Sequence, residues 1–177
     1  MLNIIRALRG ASRRTPALPT LPLELAAGER PLAWAADDTD TWYVGTKAAL
    51  HLCAAAACLR LPWESIERAE WDGDEERLEV VELADFGQPR PVHRARLQEP
   101  ERLLQLVRER ITASVVVSRF VPVAGKRGLT VVARRAPHSS DPLTWAFVVD
   151  RGLDESAPEV TAAAELGLAE AKAEVGE

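Results

Sequence analysis

The chain has 177 residues, 47% of them hydrophobic, with a net charge of −5 and two cysteines. That is enough for one domain, or one domain with a structured extension; the apolar content argues against a disordered chain, and two cysteines are too few for a disulfide-dense scaffold. No run of 18 apolar residues is present to span a membrane as a helix, and the acidic balance argues against bulk affinity for nucleic acid.

Residues 1–23 read as a flexible basic tail. Leu2, Ile4, Ile5 and Leu8 would share one face of a short helix, with Arg6 and Arg9 beside it; Arg13, Arg14, Pro16, Pro19 and Pro22 then break regular structure. A terminus of this kind ordinarily frays or docks on its own domain. The alternative is a weak anchor on an anionic membrane surface. The stretch is too short and too interrupted by Arg for a signal peptide, so a cytoplasmic protein is the simplest expectation.

From Glu29 the hydrophobic period falls to two, the spacing of strands. Leu32 and Trp34 share a face, Asp37-Asp38-Thr39-Asp40 is a turn, and Trp42 and Val44 share the next face. Lys47 to Leu61 is ambiguous. Its alanines favour helix, but Leu50, Leu52, Leu59 and Leu61 alternate with His51, Cys53 and Arg60. The alternation predicts a hairpin turning within Ala54–Ala57. Ser65–Asp72, Arg77–Leu83 and Val92–Leu97 read as further strands, and Glu64, Glu67 and Glu70 as surface positions. Pro100 then opens a helix whose apolar stripe is Leu103, Leu104, Val107 and Ile111.

After Thr112 the period returns to two. Val115–Val123, Leu129–Arg135 and Leu143–Asp150 are three predicted strands, with a hairpin turn at Ala124–Gly128 and Trp145, Phe147 and Val149 on one buried face. Ser156-Ala157-Pro158-Glu159 has the spacing of a capping box and starts a last helix that ends near Val175, before Gly176.

Seven short strands closed by one helix is the layout of pleckstrin-homology domains. Gly28-Glu29-Arg30, then Thr46 with Leu50, then Leu61-Pro62-Trp63-Glu64-Ser65-Ile66 are similar to motifs of bacterial pleckstrin-homology-like (PH-like) proteins. The whole chain resembles uncharacterised actinobacterial proteins with such a domain. In those motifs Trp63 stands where Tyr is usual and Ser65 where an acid is usual. The resemblance covers residues 24–113 and implies a non-enzymatic binding scaffold. It does not extend to phosphoinositides, which need Lys and Arg in the first strand-to-strand loop, where this chain has Asp37-Asp38-Thr39-Asp40.

Catalytic and metal chemistry is thinly represented. His51, Cys53 and Cys58 have metal-like side chains but lack a fourth ligand nearby. A disulfide between the cysteines is disfavoured in a reducing cytoplasm, which leaves two small buried thiols and a surface His. His138-Ser139-Ser140-Asp141 has triad letters in order, but neighbours in one loop do not line up as a relay, and no Gly-x-Ser-x-Gly elbow is present. Asp72-Gly73-Asp74-Glu75-Glu76 lacks the ligand alternation of a calcium loop. Gly125-Lys126-Arg127-Gly128 is not a phosphate loop.

The better candidate is a basic hairpin. Residues 114–137 carry five basic residues, Arg119, Lys126, Arg127, Arg134 and Arg135, and no acid. They could take an anionic partner, such as the headgroups of a membrane. The plainer readings are charges that block edge pairing or that pair with the acidic half of the chain. The expectation is therefore an α+β protein: a flexible basic tail over 1–23, a PH-like seven-stranded antiparallel barrel or sheet capped by a helix over 24–113, then a three-stranded antiparallel extension and a C-terminal helix over 114–177. The expected role is a non-catalytic module binding a protein partner. Anionic lipid is the alternative and an unrecognised enzyme a second one. No cofactor, metal or specific nucleic acid is implied, and the sequence says nothing of oligomeric state.

Overall fold

The structure, a computed structural model, describes residues 17–137 and 139–176; the readings made for residues 1–16 and for His138 lie outside them. Ten strands and two helices follow in chain order: β1 (Ala33–Asp37), β2 (Trp42–Gly45), β3 (Ala49–Cys53), β4 (Cys58–Pro62), β5 (Ile66–Asp72), β6 (Arg77–Glu82), β7 (Val92–Gln98), α1 (Glu101–Ser114), β8 (Val115–Ala124), β9 (Arg127–Arg134), β10 (Thr144–Val149) and α2 (Pro158–Val175). The first seven strands make one antiparallel sheet in the order β4-β3-β2-β1-β7-β6-β5, curled into a half-barrel; the last three make a second, β10-β9-β8. The class is α+β.

The alternating leucines of 47–61 win over the helix propensity of its alanines. Leu50 pairs with Leu61 across β3 and β4, and the row continues through Gly45 to Ala33. Ala33, Leu50 and Leu61 line the concave core with Trp63, Ile66, Leu78 and Val80. Leu52 packs at the margin of this core, whereas Leu59 on the edge strand stays 48% exposed. Trp63 lies in a short 3₁₀ turn joining β4 to β5. It is fully buried, and its indole N–H donates to the Thr46 carbonyl at 3.2 Å.

Helix α1 closes the half-barrel. Leu103, Leu106, Val107 and Ile111 are buried in the same core, and Leu104 packs against its margin. A Cβ on Gly45 would fall 2.6 Å from a Leu106 methyl carbon, so the helix's leucines pack directly on the β2 backbone here.

The second sheet packs one face on α2. Val117, Leu129, Val131 and Ala133 meet Val160, Ala164 and Ala171, with Trp145, Phe147 and Val149 half-buried beside them. The predicted capping box does not form. Ala157 is the N-cap with no side-chain bond, and Pro158 holds the first helical position. Ser156 instead donates to Asp154 Oδ1 at 2.6 Å, so the local Asx-type turn takes the hydroxyl that the cap would have used.

Charged groups join the two halves. Arg134 is 5% exposed. It donates to the Glu67 carbonyl at 2.8 Å, to Ser114 Oγ at 2.9 Å and to the Ile111 carbonyl at 3.3 Å. Arg90 lies 2.6 Å from Glu67 Oε2 and donates to Glu155 Oε1 at 2.9 Å and to the Phe147 carbonyl at 3.1 Å. Phe86 meets Phe147 edge to face, 5.2 Å between centroids. Glu67, read from the sequence as a surface acid, is buried at this junction. The cause is a register shift in β5 between Ile66 and Arg68, which breaks the simple alternation of faces there.

Candidate functional site

The five basic residues of the 114–137 hairpin do not form one cluster. Arg134 is spent inside the junction. Burial lowers its pKa, against a smaller opposite pull from Glu67. Arg119 lies on the α2 side of β8, 2.8 Å from Glu170 and 3.8 Å from Glu174. Arg135 follows β9 beside the end of α1, where its backbone N–H donates to the Ser114 carbonyl. Lys126 and Arg127 sit at the exposed β8–β9 turn, where Gly125 has φ +62°. Among the described residues neither forms an ion pair. Two of the five thus remain together at a free tip.

The same hairpin carries a feature that charge counting missed. Along β8, Val116, Ser118, Phe120, Pro122 and Ala124 are all exposed while Val117 is buried. They share the face of the sheet turned away from α2. Phe120 is 51% exposed, and its ring reaches over Gly128 on β9. β8 is also an edge of its sheet. The outcome is an uncharged, mainly apolar strip on an open edge. The alternating signal was in the sequence, but the outward face contains no charge to mark it as outward.

Among the described residues, two of the surface clefts lie beside the elements already named. The larger, about 540 Å³, lies between the β6–β7 loop (Phe86, Gly87, Pro89) and the approach to α2 (Asp154, Glu155, Thr161). Most of its polar groups are already used. Glu155 accepts from Gly87 N and Arg90, Asp154 accepts from Ser156, and Thr161 donates to the Ala157 carbonyl. Hydrogen bonds from Ser156 hold the Asp154 carboxyl below its ordinary range. The smaller, about 230 Å³, lies between the start of β1 and α1, beside Leu32, Arg102 and Glu109.

The cysteine region differs from expectation. Cys53 and Cys58 stand directly opposite each other on β3 and β4, their Cα atoms 4.0 Å apart, and are joined as a disulfide. The predicted free thiols are therefore absent, because the hairpin register brings the two side chains onto one face. His51, expected at the surface, is 1% exposed. Leu50 and Leu52 of the same strand turn toward the core side, so His51 and Cys53 share the outer side of β3. Among the described residues, Nε2 of His51 has no hydrogen-bond partner. Burial pushes its pKa down, Glu29 pulls it part of the way back, and Arg60 pushes it down again. Glu29 itself accepts from Thr46 Oγ1, Ala48 N and Ala26 N. Burial raises its carboxyl, but these bonds together with His51 leave it below the ordinary value.

Of the other sequence candidates, Ser139 donates to Asp141 within its own loop, and Asp72 accepts the backbone N–H groups of Asp74 and Glu75. Among the described residues, no group of three His, Cys, Asp or Glu side chains is placed to hold a metal ion. Nor is any described helix long and apolar enough to cross a membrane. Comparison with protein-family models, curated proteins and solved structures finds no match to the chain.

Proposed function

We propose that this protein is a non-catalytic interaction module that receives a protein partner along the exposed face and edge of β8. The observation that carries the reading is the uncharged strip from Val116 to Ala124 on an open sheet edge, with Phe120 half-exposed at its centre. An apolar surface held open on an ordered strand favours association, and edge strands offer backbone groups as well. The filled concave core supports the same reading, since Trp63, Leu50, Leu61 and Leu103 leave no room in the half-barrel for a substrate. The PH-like resemblance over 24–113 belongs to this reading; the order of seven antiparallel strands and a closing helix supports it. A photo-crosslinking residue at Phe120, compared with one at exposed Glu75, tests the proposal in a native lysate. One protein adduct specific to position 120 supports it. Equal or absent labelling at the two positions overturns it.

A second reading has its own observation. Lys126 and Arg127 form a cationic turn with no ion pair among the described residues, which suits an anionic lipid surface. Flotation with phosphatidylserine-containing vesicles at low salt tests it, and vesicle binding that persists in the Lys126→Glu/Arg127→Glu variant counts against it.

A further inference from the structure

We propose that Cys53 and Cys58 form a thiol–disulfide exchange site, with Cys58 the sulfur that an incoming thiolate attacks. Four observations converge on it. The bridge joins directly opposite residues at the end of the β3–β4 hairpin, across a turn of four exposed alanines, 54–57. β4 is an edge of the seven-stranded sheet, so one side of Cys58 is not covered by a neighbouring strand. The two sulfurs are unequal: Cys53 is fully buried, whereas Cys58 is only half-buried. The next rung on the same face carries His51 and Arg60, directly opposite each other.

Each neighbour has a chemical use. Arg60 is exposed and in no ion pair among the described residues, and a cation two residues from Cys58 draws an anionic thiolate to that sulfur and stabilises the thiolate later released there. His51 is buried two residues from Cys53 with Nε2 unpartnered, so it is the polar group at hand for the sulfur that departs into the protein.

The reactant is a dithiol reductant. Its thiolate bonds to the Sγ of Cys58 and the Cys53–Cys58 bond breaks. Cys53 leaves with the electron pair and takes up a proton. The second thiol of the reductant then attacks its own sulfur in the mixed disulfide, and Cys58 is released as a thiolate that protonates in turn. The protein disulfide is reduced to two thiols, and the dithiol is oxidised to its disulfide.

Purified full-length protein and dithiothreitol are enough to test this, with no binding partner present, so the outcome is independent of the β8 reading. Trp42 stands opposite Cys53 on β2 and reports the bridge through disulfide quenching of indole emission. Reduction is expected to proceed in the folded protein under native conditions and to raise Trp42 emission, with no rise in a Trp42→Phe variant. Among single-thiol variants, Cys53→Ser, which keeps Cys58, is expected to react with a disulfide reagent at least tenfold faster than Cys58→Ser. Arg60→Glu is expected to slow reduction of the wild-type bridge several-fold, and Arg60→Lys to restore it. A bridge that yields only at denaturant concentrations that unfold the chain overturns the proposal. So does equal or reversed reactivity of the two single thiols.

Discussion

The guanidinium of Arg134, at the end of β9, donates to the backbone carbonyl of Glu67 on β5, 2.8 Å away and sealed from water. Two sheets that share no strand pairing are tied through this contact and through the Arg90 bonds to Glu155 and Phe147. Burial would by itself lower the Arg90 pKa, but the hydrogen bond and charge of Glu155, with Glu67, raise it beyond its ordinary value.

Replacing Arg134 by Met fills much of the volume but orphans the Glu67 carbonyl and leaves the Glu67 carboxylate with less compensating charge. A loss of about 3 kcal/mol is expected, the scale seen when one member of a buried charged network is removed. Urea unfolding of wild type and variant measures it. A loss under about 1 kcal/mol would mean that the junction is not held by this residue.

Gly128 provides a sharper steric case. A Cβ there would lie 2.1 Å from the Val121 carbonyl oxygen, a backbone atom that cannot rotate away. Gly128→Ala is expected to cost about 2 kcal/mol or more by overpacking. Gly125, in the neighbouring turn, has open space but φ +62°, so Gly125→Ala should cost about 1 kcal/mol from backbone strain alone. Thermal melts of both variants check the order; a larger shift for Gly125→Ala contradicts the close approach of β8 and β9.

Acid should weaken the fold through His51. Burial holds its folded pKa below the ordinary value of 6.5, so as pH falls past 6.5 the unfolded chain takes the proton first. The stability this site contributes is full above 6.5 and drains as pH drops toward the folded value, at no more than about 1.4 kcal/mol per pH unit for one proton. Glu29 acts in the same direction lower down, its contribution being present above 4.5 and lost as pH falls through its depressed folded value. His51→Gln should flatten the decline just below pH 6.5 and leave most of the Glu29 portion, which the Thr46, Ala26 and Ala48 bonds carry. An unchanged slope in urea titrations across that range refutes the assignment.

The single tyrosine gives a clean alkaline reporter. Burial, with a smaller push from Asp37, raises the Tyr43 pKa to about 12. The unfolded phenol loses its proton near 10. Stability from this group is therefore intact below pH 10 and lost as pH climbs toward 12. Absorbance titration at the phenolate band should show a midpoint well above that of the urea-unfolded chain; coincident midpoints would place the ring in water.

Much of this architecture was legible in the chain. Every strand of the half-barrel was announced by its alternation, including the alanine-rich β3–β4 hairpin, where Leu50, Leu52, Leu59 and Leu61 outweighed local propensity. Burial on the outer side of the sheet was not legible. His51 and Glu67 stand where period-two reasoning expects solvent, and only tertiary packing and the β5 register shift bury them. The basic hairpin was legible only in part for a related reason. Charge in a strand is ordinarily solvated, and nothing within 114–137 tells that Arg134 meets the end of α1 and the backbone of β5. The capping-box letters at 156–159 failed because Asp154 competes for the same hydroxyl.

The half-barrel's concave face is covered by α1, and α1 follows all seven strands in the chain. On the ribosome, that order means the strands emerge with their leucines uncovered and wait for residues 101–114 before their lid arrives. β1 and β7 meet over only two residue pairs, so little long-range pairing is available to hold the early strands together in the interval. The concave leucines therefore stay without their cover from the synthesis of β1 until Ile111 is available, an interval in which exposed apolar surface favours aggregation.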